Sequence, residues 1–134
     1  MTFAYLTADQ VIEVHDHILG PGEIAGLAMD KSLDAALNRV WNQWLYAGPL
    51  DLCDFAALHA EVLARGHTFN DGNKRTAFQV MRLTLTLNGL ELDFPDTEVA
   101  DLIIQLAQGL IQAEDLAAWL RQQPPLTIEA AKDT

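Results

Sequence analysis

The sequence predicts an all-α protein, a compact bundle of about six helices in which a loop rich in polar and charged residues leads into a central helix. Three observations predict this class. Apolar residues recur at helical spacing in successive segments, glycines and prolines separate those segments, and strand signals are nearly absent. The chain has 134 residues, of which 50% are hydrophobic, so it is long enough for a single domain with a substantial core.

The first predicted helix opens at Thr7, where the sequence Thr-Ala-Asp-Gln forms a capping box. This helix carries His15 and His17. Residues two apart point to different sides of a helix, so the two histidines are not a metal-binding pair. We expect His15 to lie in the core or to support the site, and His17 to lie in solvent.

The second and third predicted helices lie on either side of Gly48-Pro49, a pair that ends helices. Trp41 and Trp44 precede this pair on an apolar face, and we interpret them as core or interface residues. The third helix runs from Leu50 to about Ala64 and leads directly into the chemically richest stretch of the chain. Its His59 is predicted to be buried and hydrogen-bonded.

The fourth helix is predicted to begin near Asn73 and to end at Asn88-Gly89, and a short extended piece follows. Two further helices then complete the bundle, the first of them stopped by Gly109. Pro124-Pro125 closes the fold. These signals predict one domain over residues 1–123 and a flexible tail over residues 124–134.

Composition excludes several functional classes. The net charge of −11 argues against nucleic acid as a direct partner, because binding to a polyphosphate needs a basic surface. No apolar run approaches 18 residues, so we expect no membrane span. Cys53 is the single cysteine and has no intramolecular partner. We expect it to be a buried structural thiol in a cytoplasmic protein.

The stretch from Arg65 to Thr76 concentrates the chemistry of the chain. The sequence has only eight lysines and arginines, and four of them lie in or near this stretch: Arg65, Lys74, Arg75 and Arg82. Lys74 and Arg75 fall in the first turn of a predicted helix, where the helix dipole disfavours cations. A bound phosphate would supply the missing negative charge, and Gly72 would let it approach the backbone closely.

His67 and Asp71 add groups that could take part in catalysis. Histidine titrates near neutral pH and can accept a proton from a hydroxyl, and a carboxylate can hold the Mg²⁺ that accompanies nucleotide phosphates. The residues alone therefore favour phosphoryl or nucleotidyl transfer. They leave open a loop that binds an anion without catalysis. Phe69, between the two groups, is best interpreted as an anchor in the core.

The run His67-Thr-Phe-Asn-Asp-Gly-Asn-Lys-Arg75 resembles the signature of the Fic/Doc family, and specifically of its death-on-curing (Doc) toxins, His-x-Phe-x-Asp-Ala/Gly-Asn-Lys-Arg. The resemblance implies a Fic/Doc-type helical bundle with a catalytic domain that uses ATP and Mg²⁺ to modify a protein hydroxyl. It also implies the following roles: His67 as general base, Asp71 as metal ligand, Asn73 as anion-hole donor, and Lys74 and Arg75 as phosphate-binding residues, with Gly72 and Arg65 contributing to the nucleotide site.

The same resemblance separates two reactions. Most Fic enzymes have glycine at the position of Lys74 and transfer AMP, whereas Doc toxins have lysine and act as kinases. A lysine side chain fills space that glycine leaves open, so the nucleotide would bind in another orientation. Lys74 and Phe78 therefore favour a kinase, while Gly72, where Doc toxins commonly have alanine, is closer to the AMP-transferring relatives.

Resemblance to Doc toxins also implies partners. The substrate would be a host protein, by resemblance translation elongation factor Tu, modified on a threonine so that translation and growth stop. The Ser/Thr-x-x-x-Glu-Gly/Asn motif of self-inhibiting Fic proteins is absent, so restraint would come from an antitoxin. The glycine-rich loop over residues 20–26 is either the flap that aligns the target segment or a plain surface connection.

Overall fold

The computed structural model describes residues 3–47 and 50–126 and is a bundle of helices, as the sequence predicts. Within these residues the helices are α1 (Ala8–Ile18), α2 (Leu33–Tyr46), α3 (Leu52–Arg65), α4 (Asn73–Leu87), α5 (Asp96–Ala107) and α6 (Ala113–Arg121). In the same ranges, strand-like pairing is limited to two isolated bridges, Leu27 with Phe69 and Leu92 with Pro125. The all-α prediction is confirmed.

Helix α3 lies at the centre of the bundle. It packs against α2, α4, α5 and α6, whereas α4 packs against α1, α3 and α5. Almost every residue of α3 from Cys53 onward is buried, including Phe55 and Leu63. Burial on all sides requires a helix that is apolar all round, which explains why alanine and leucine dominate its sequence. The two central helices, α3 and α4, are joined by the predicted active-site loop.

Local signals at the helix ends explain their boundaries. Thr7 accepts a hydrogen bond from Gln10 N and so forms the predicted capping box of α1. Helix α3 starts two residues later than predicted, because Asp51 caps it by accepting from Asp54 N at 2.9 Å. Gly109, with φ of 75°, follows the end of α5 in the left-handed conformation that the sequence signal implied.

Aromatic side chains fill the space between α2 and α3. Trp41 and Trp44 both pack against Phe55, with ring centroids 5.6 and 5.0 Å apart, and both are partly buried at the edge of the core, in agreement with their prediction as core or interface residues. His59 is also buried, and its Nδ1–H donates to the Phe55 carbonyl at 2.9 Å. Burial lowers the pKa of His59, because the charged imidazolium would lose its hydration there.

The C-terminal part of the described chain returns to the segment before α5. Asp93 N donates to Pro124 O and Leu126 N donates to Glu91 O, both at 2.8 Å. The rest of the predicted tail lies outside the described residues, so the boundary at residue 124 stays a prediction. None of the helices described within 3–47 and 50–126 is long and apolar enough to cross a bilayer.

Candidate active site

The candidate site is the loop between α3 and α4, and its first residues are tightly constrained. A Cβ atom on Gly66 would lie 2.8 Å from the Val62 carbonyl oxygen and 3.1 Å from an Arg39 guanidinium nitrogen, so only glycine fits. His67 follows with φ of 50°, a conformation that non-glycine residues rarely adopt. Its side chain is exposed. Strained backbone of this kind is concentrated at functional sites.

Phe69 anchors the loop in the core, as predicted. It is only 3% exposed, and its ring stacks on the ring of His15 with centroids 3.8 Å apart. His15 is itself buried, and its Nε2–H donates to the Asp71 backbone carbonyl at 2.7 Å. The prediction that His15 supports the site is confirmed. His17 is exposed, which confirms its separate assignment to solvent.

Asn73 closes the loop on itself. Its Oδ1 accepts from Phe69 N at 2.9 Å, and its Nδ2 donates to Phe69 O at 2.8 Å. Both polar groups of the side chain are therefore engaged with the loop backbone. The backbone N–H of Asn73 is the donor that remains available for an anion.

The N-terminus of α4 presents backbone donors beside cations. Gly72 is the N-cap residue with φ of 81°, and the first paired amide of the helix is that of Thr76, which bonds to Gly72 O at 2.9 Å. Among the described residues, the amides of positions 73–75 have no acceptor. The Lys74 and Arg75 side chains are exposed beside them. Free amides, the helix dipole and two cations form an environment suited to phosphate.

Asp71 and Arg75 are contacted by the segment that follows α1. Asp71 Oδ2 accepts from Ile24 N at 2.8 Å, and Arg75 forms an ion pair with Glu23 and donates to Ile18 O. The segment continues alongside the loop, where Ala28 N donates to Thr68 O at 2.8 Å. The loop over residues 20–26 is therefore more than a plain connection, although its role as a substrate flap stays a prediction.

Arg65 makes contacts of a different kind from the other predicted ligands. Its Nε and Nη2 donate to the carbonyls of Leu106 and Ile111, each at 3.0 Å, and thereby tie the end of α3 to the α5–α6 connection. Its predicted contribution to nucleotide binding remains untested. Arg82 lies outside the loop, where it pairs with Asp96 at 2.8 Å and packs over the Phe78 ring.

The predicted site residues that the loop brings together are His67, Asp71, Gly72, Asn73, Lys74 and Arg75. Glu23 and Ile24 were missed by sequence reasoning. Their contacts to the loop span 52 and 47 positions of chain, and no local pattern signals such pairings. A cavity of about 460 Å³ lies elsewhere, between α2, α3 and α6, and none of its lining residues belongs to the loop.

The donor set fits a magnesium nucleotide. Mg²⁺ commonly uses one or two carboxylates, together with substrate phosphates and waters, rather than a cage of protein ligands. In the part of the chain that the structure describes, no three His, Cys, Asp or Glu side chains are grouped to hold a metal ion. Asp71 directly precedes the Gly72 cap of α4, and a single carboxylate at this position suits an ion that arrives with the nucleotide.

Comparison with known proteins identifies the family. The model of the Fic/DOC family matches residues 5–85 of the chain, a range that includes the complete loop. The protein kinase doc of Escherichia phage P1 is 34% identical over 119 residues, which cover 88% of this chain and 94% of the phage protein. The match extends well beyond the loop into the flanking helices. The chain therefore belongs to the Fic/DOC family, in its Doc subfamily.

Proposed function

We propose that this protein is a Doc-like toxin, a protein serine/threonine kinase that transfers the γ-phosphoryl group of ATP to a hydroxyl on a host protein. The observation that carries the proposal is the arrangement at the start of α4. An exposed, backbone-strained His67 precedes a helix N-terminus that has free amides and two exposed cations, Lys74 and Arg75. The similarity to a protein named as a kinase agrees with it.

In this proposal His67 is the general base. The acceptor hydroxyl oxygen bonds to the γ-phosphorus, its proton passes to the imidazole, and the bond from the γ-phosphorus to the β–γ bridging oxygen breaks to release ADP. Lys74, Arg75 and the free α4 amides bind the phosphates and offset the charge that develops on them. Asp71 would hold Mg²⁺, which neutralises phosphate charge when bound.

Exposed apolar side chains beside the loop support a protein acceptor. Ile24 is 63% exposed and Met29 is 87% exposed, and both belong to the segment that pairs with the loop. A small hydrophilic acceptor would leave these apolar side chains in solvent, whereas a protein acceptor would bury them, as protein interfaces commonly do. By resemblance, we propose elongation factor Tu as the acceptor, a cognate antitoxin as the restraining partner, and the cytoplasm as the location.

AMP transfer is the alternative that one observation favours. Gly72 has φ of 81°, a conformation that an alanine adopts only with strain, and glycine at this position is the pattern of the AMP-transferring relatives. The two reactions move different parts of ATP. Incubating host proteins with ATP labelled on either the γ- or the α-phosphate separates them. γ-Label on the acceptor supports the kinase, and α-label supports AMP transfer.

The same assay tests whether the loop is catalytic. His67→Ala should reduce labelling by about 10² to 10⁴, because the general base is lost. It should leave folding intact, since the His67 side chain is exposed. His17→Ala is the matched control, because His17 is also exposed but lies on α1. Growth of host cells that express the protein gives a second measurement. If His67→Ala inhibits growth as strongly as the wild type does, the result favours a domain that binds an anion or a protein without catalysis.

A further inference from the structure

Glu23 forms an ion pair with Arg75, the residue that the proposed function assigns to phosphate binding. Its Oε2 pairs with Arg75 Nη2, and its Oε1 accepts from Gly20 N at 2.6 Å. The other terminal nitrogen of Arg75 donates to Ile18 O at 2.9 Å. One terminal nitrogen of the guanidinium is therefore bound to the last residue of α1, and the other to the segment that follows this helix.

The next residue contacts the other proposed ligand group. Ile24 N donates to the Asp71 carboxylate at 2.8 Å, so two consecutive residues cover both the phosphate-binding arginine and the metal-binding carboxylate. A carboxylate and a phosphate compete for one guanidinium, because both accept from the same N–H fork. Glu23 already takes one of the Nη2 donors of Arg75, so a phosphate that uses the same side of the guanidinium must compete with this carboxylate.

We propose that Glu23 is an internal competitor of the nucleotide, so that the segment over residues 18–24 acts as a latch whose release from Arg75 accompanies ATP binding. This inference rests on the proposed function, since it assigns Arg75 to phosphate. The latch begins at Ile18, the last residue of α1, and continues into the segment after this helix. It is separate from the self-inhibitory helix motif, which this sequence lacks.

Charge at the latch agrees with competition. The hydrogen bond from Arg75, with a further one from Gly20 N, lowers the pKa of Glu23, and the carboxylate therefore stays ionised throughout the neutral range. The pair is also accessible, with 49% of the Arg75 side chain and 27% of the Glu23 side chain exposed. An accessible ion pair is weak enough for a bound triphosphate to replace it.

The test is the affinity for magnesium ATP, measured by titration calorimetry on the full chain. Glu23→Gln removes both the competing carboxylate and its repulsion of the phosphates, so it should lower the Kd for ATP by about threefold to tenfold. Glu13→Gln is the matched control, because it makes the same change in net charge on the neighbouring helix α1. It should leave the Kd unchanged. The effect of Glu23→Gln should be clearly smaller in an Arg75→Ala background, because only the charge repulsion then remains to be removed.

Each contrary result has a distinct meaning. If the wild type binds ATP and Glu23→Gln binds it equally, Glu23 does not compete for Arg75; if Glu23→Gln binds it more weakly, Glu23 orients Arg75 for binding. Either result refutes the latch while the kinase proposal stands. Equal tightening in Glu13→Gln would attribute the effect to net charge and would also refute the latch. Absence of ATP binding in both the wild type and Glu23→Gln would reject the proposed function itself, and the latch with it.

Discussion

Asn73→Asp separates the role of the loop backbone from that of the helix N-terminus. The substitution keeps the acceptor that binds Phe69 N at 2.9 Å but replaces the Nδ2 donor that lies 2.8 Å from Phe69 O. Leaving that carbonyl without its partner costs about 1–3 kcal/mol. A negative charge at the first residue of a helix recovers about 0.3–1 kcal/mol. We therefore expect a net loss of about 1–2 kcal/mol in the free energy of unfolding, which lowers Tm by about 3–8 °C.

The same substitution should weaken nucleotide binding. A carboxylate about 5 Å from a phosphate repels it by about 1–3 kcal/mol, which raises the Kd for ATP by roughly fivefold to 150-fold. Thermal unfolding and calorimetry with magnesium ATP measure the two effects separately on the same sample.

Asn88→Asp is a matched control at the other end of α4. Asn88 also binds a backbone in both directions, accepting from Ala4 N at 2.8 Å and donating to Ala4 O at 2.9 Å. Here the helix dipole adds to the cost, so stability should fall further than in Asn73→Asp. The new charge lies about 20 Å from the site, beyond the screening length, and ATP affinity should not change. Wild-type affinity for ATP in Asn73→Asp, or an equal loss of ATP affinity in Asn88→Asp, would refute a role for the charge at the start of α4.

Three further predictions test the scaffold. Gly66→Ala should cost about 1–3 kcal/mol, because its Cβ would lie 2.8 Å from Val62 O, and urea unfolding without a measurable loss would contradict that packing. Burial lowers the pKa of His59, so the unfolded chain binds a proton at His59 at a higher pH than the folded chain does. At pH values below about 6.5, the free energy of unfolding should therefore decrease as the pH falls, by at most about 1.4 kcal/mol per pH unit. His59→Gln should remove this part of the decrease in the free energy of unfolding between pH 7 and 5.5. If the wild type and the variant lose stability in parallel over this range, His59 does not contribute to the decrease. Burial, with a smaller effect from the Asp51 charge, raises the pKa of Cys53 to about 11. Iodoacetamide at pH 8 should therefore label Cys53 only after unfolding. Rapid labelling of the native protein would contradict the burial of this thiol.

The helices could be predicted from sequence because their signals are local. Apolar spacing, the capping box at Thr7 and the glycine after α5 each act within a few residues, and the structure confirms them. Helix α3 begins at Leu52 and not at the predicted Leu50, because Asp51 caps its first turn. Boundaries are the weakest part of such predictions, since caps and periodicity can disagree by a turn.

The residues of the site could be predicted from the sequence, but the contacts that hold them could not. The loop residues identify themselves by their types and by the helix that follows them. The partners that hold the loop come from α1 and the segment after it, through His15, Glu23 and Ile24. Nothing in their local sequence links them to the loop, because side-chain pairing across about 50 residues is decided by the packing of whole helices. The dual hydrogen bonding of Asn73 was missed for a different reason, since it depends on the path of the loop backbone.

The stacking of His15 on Phe69 makes the signature dependent on a helix that precedes it by about 50 residues. A shortened protein whose translation starts at the internal Met29 would retain every residue from His67 to Arg75. It would nevertheless lack α1, the ring beneath Phe69, the amide on the Asp71 carboxylate and the acidic partner of Arg75. An intact signature in such a truncated reading frame would therefore not indicate an intact enzyme.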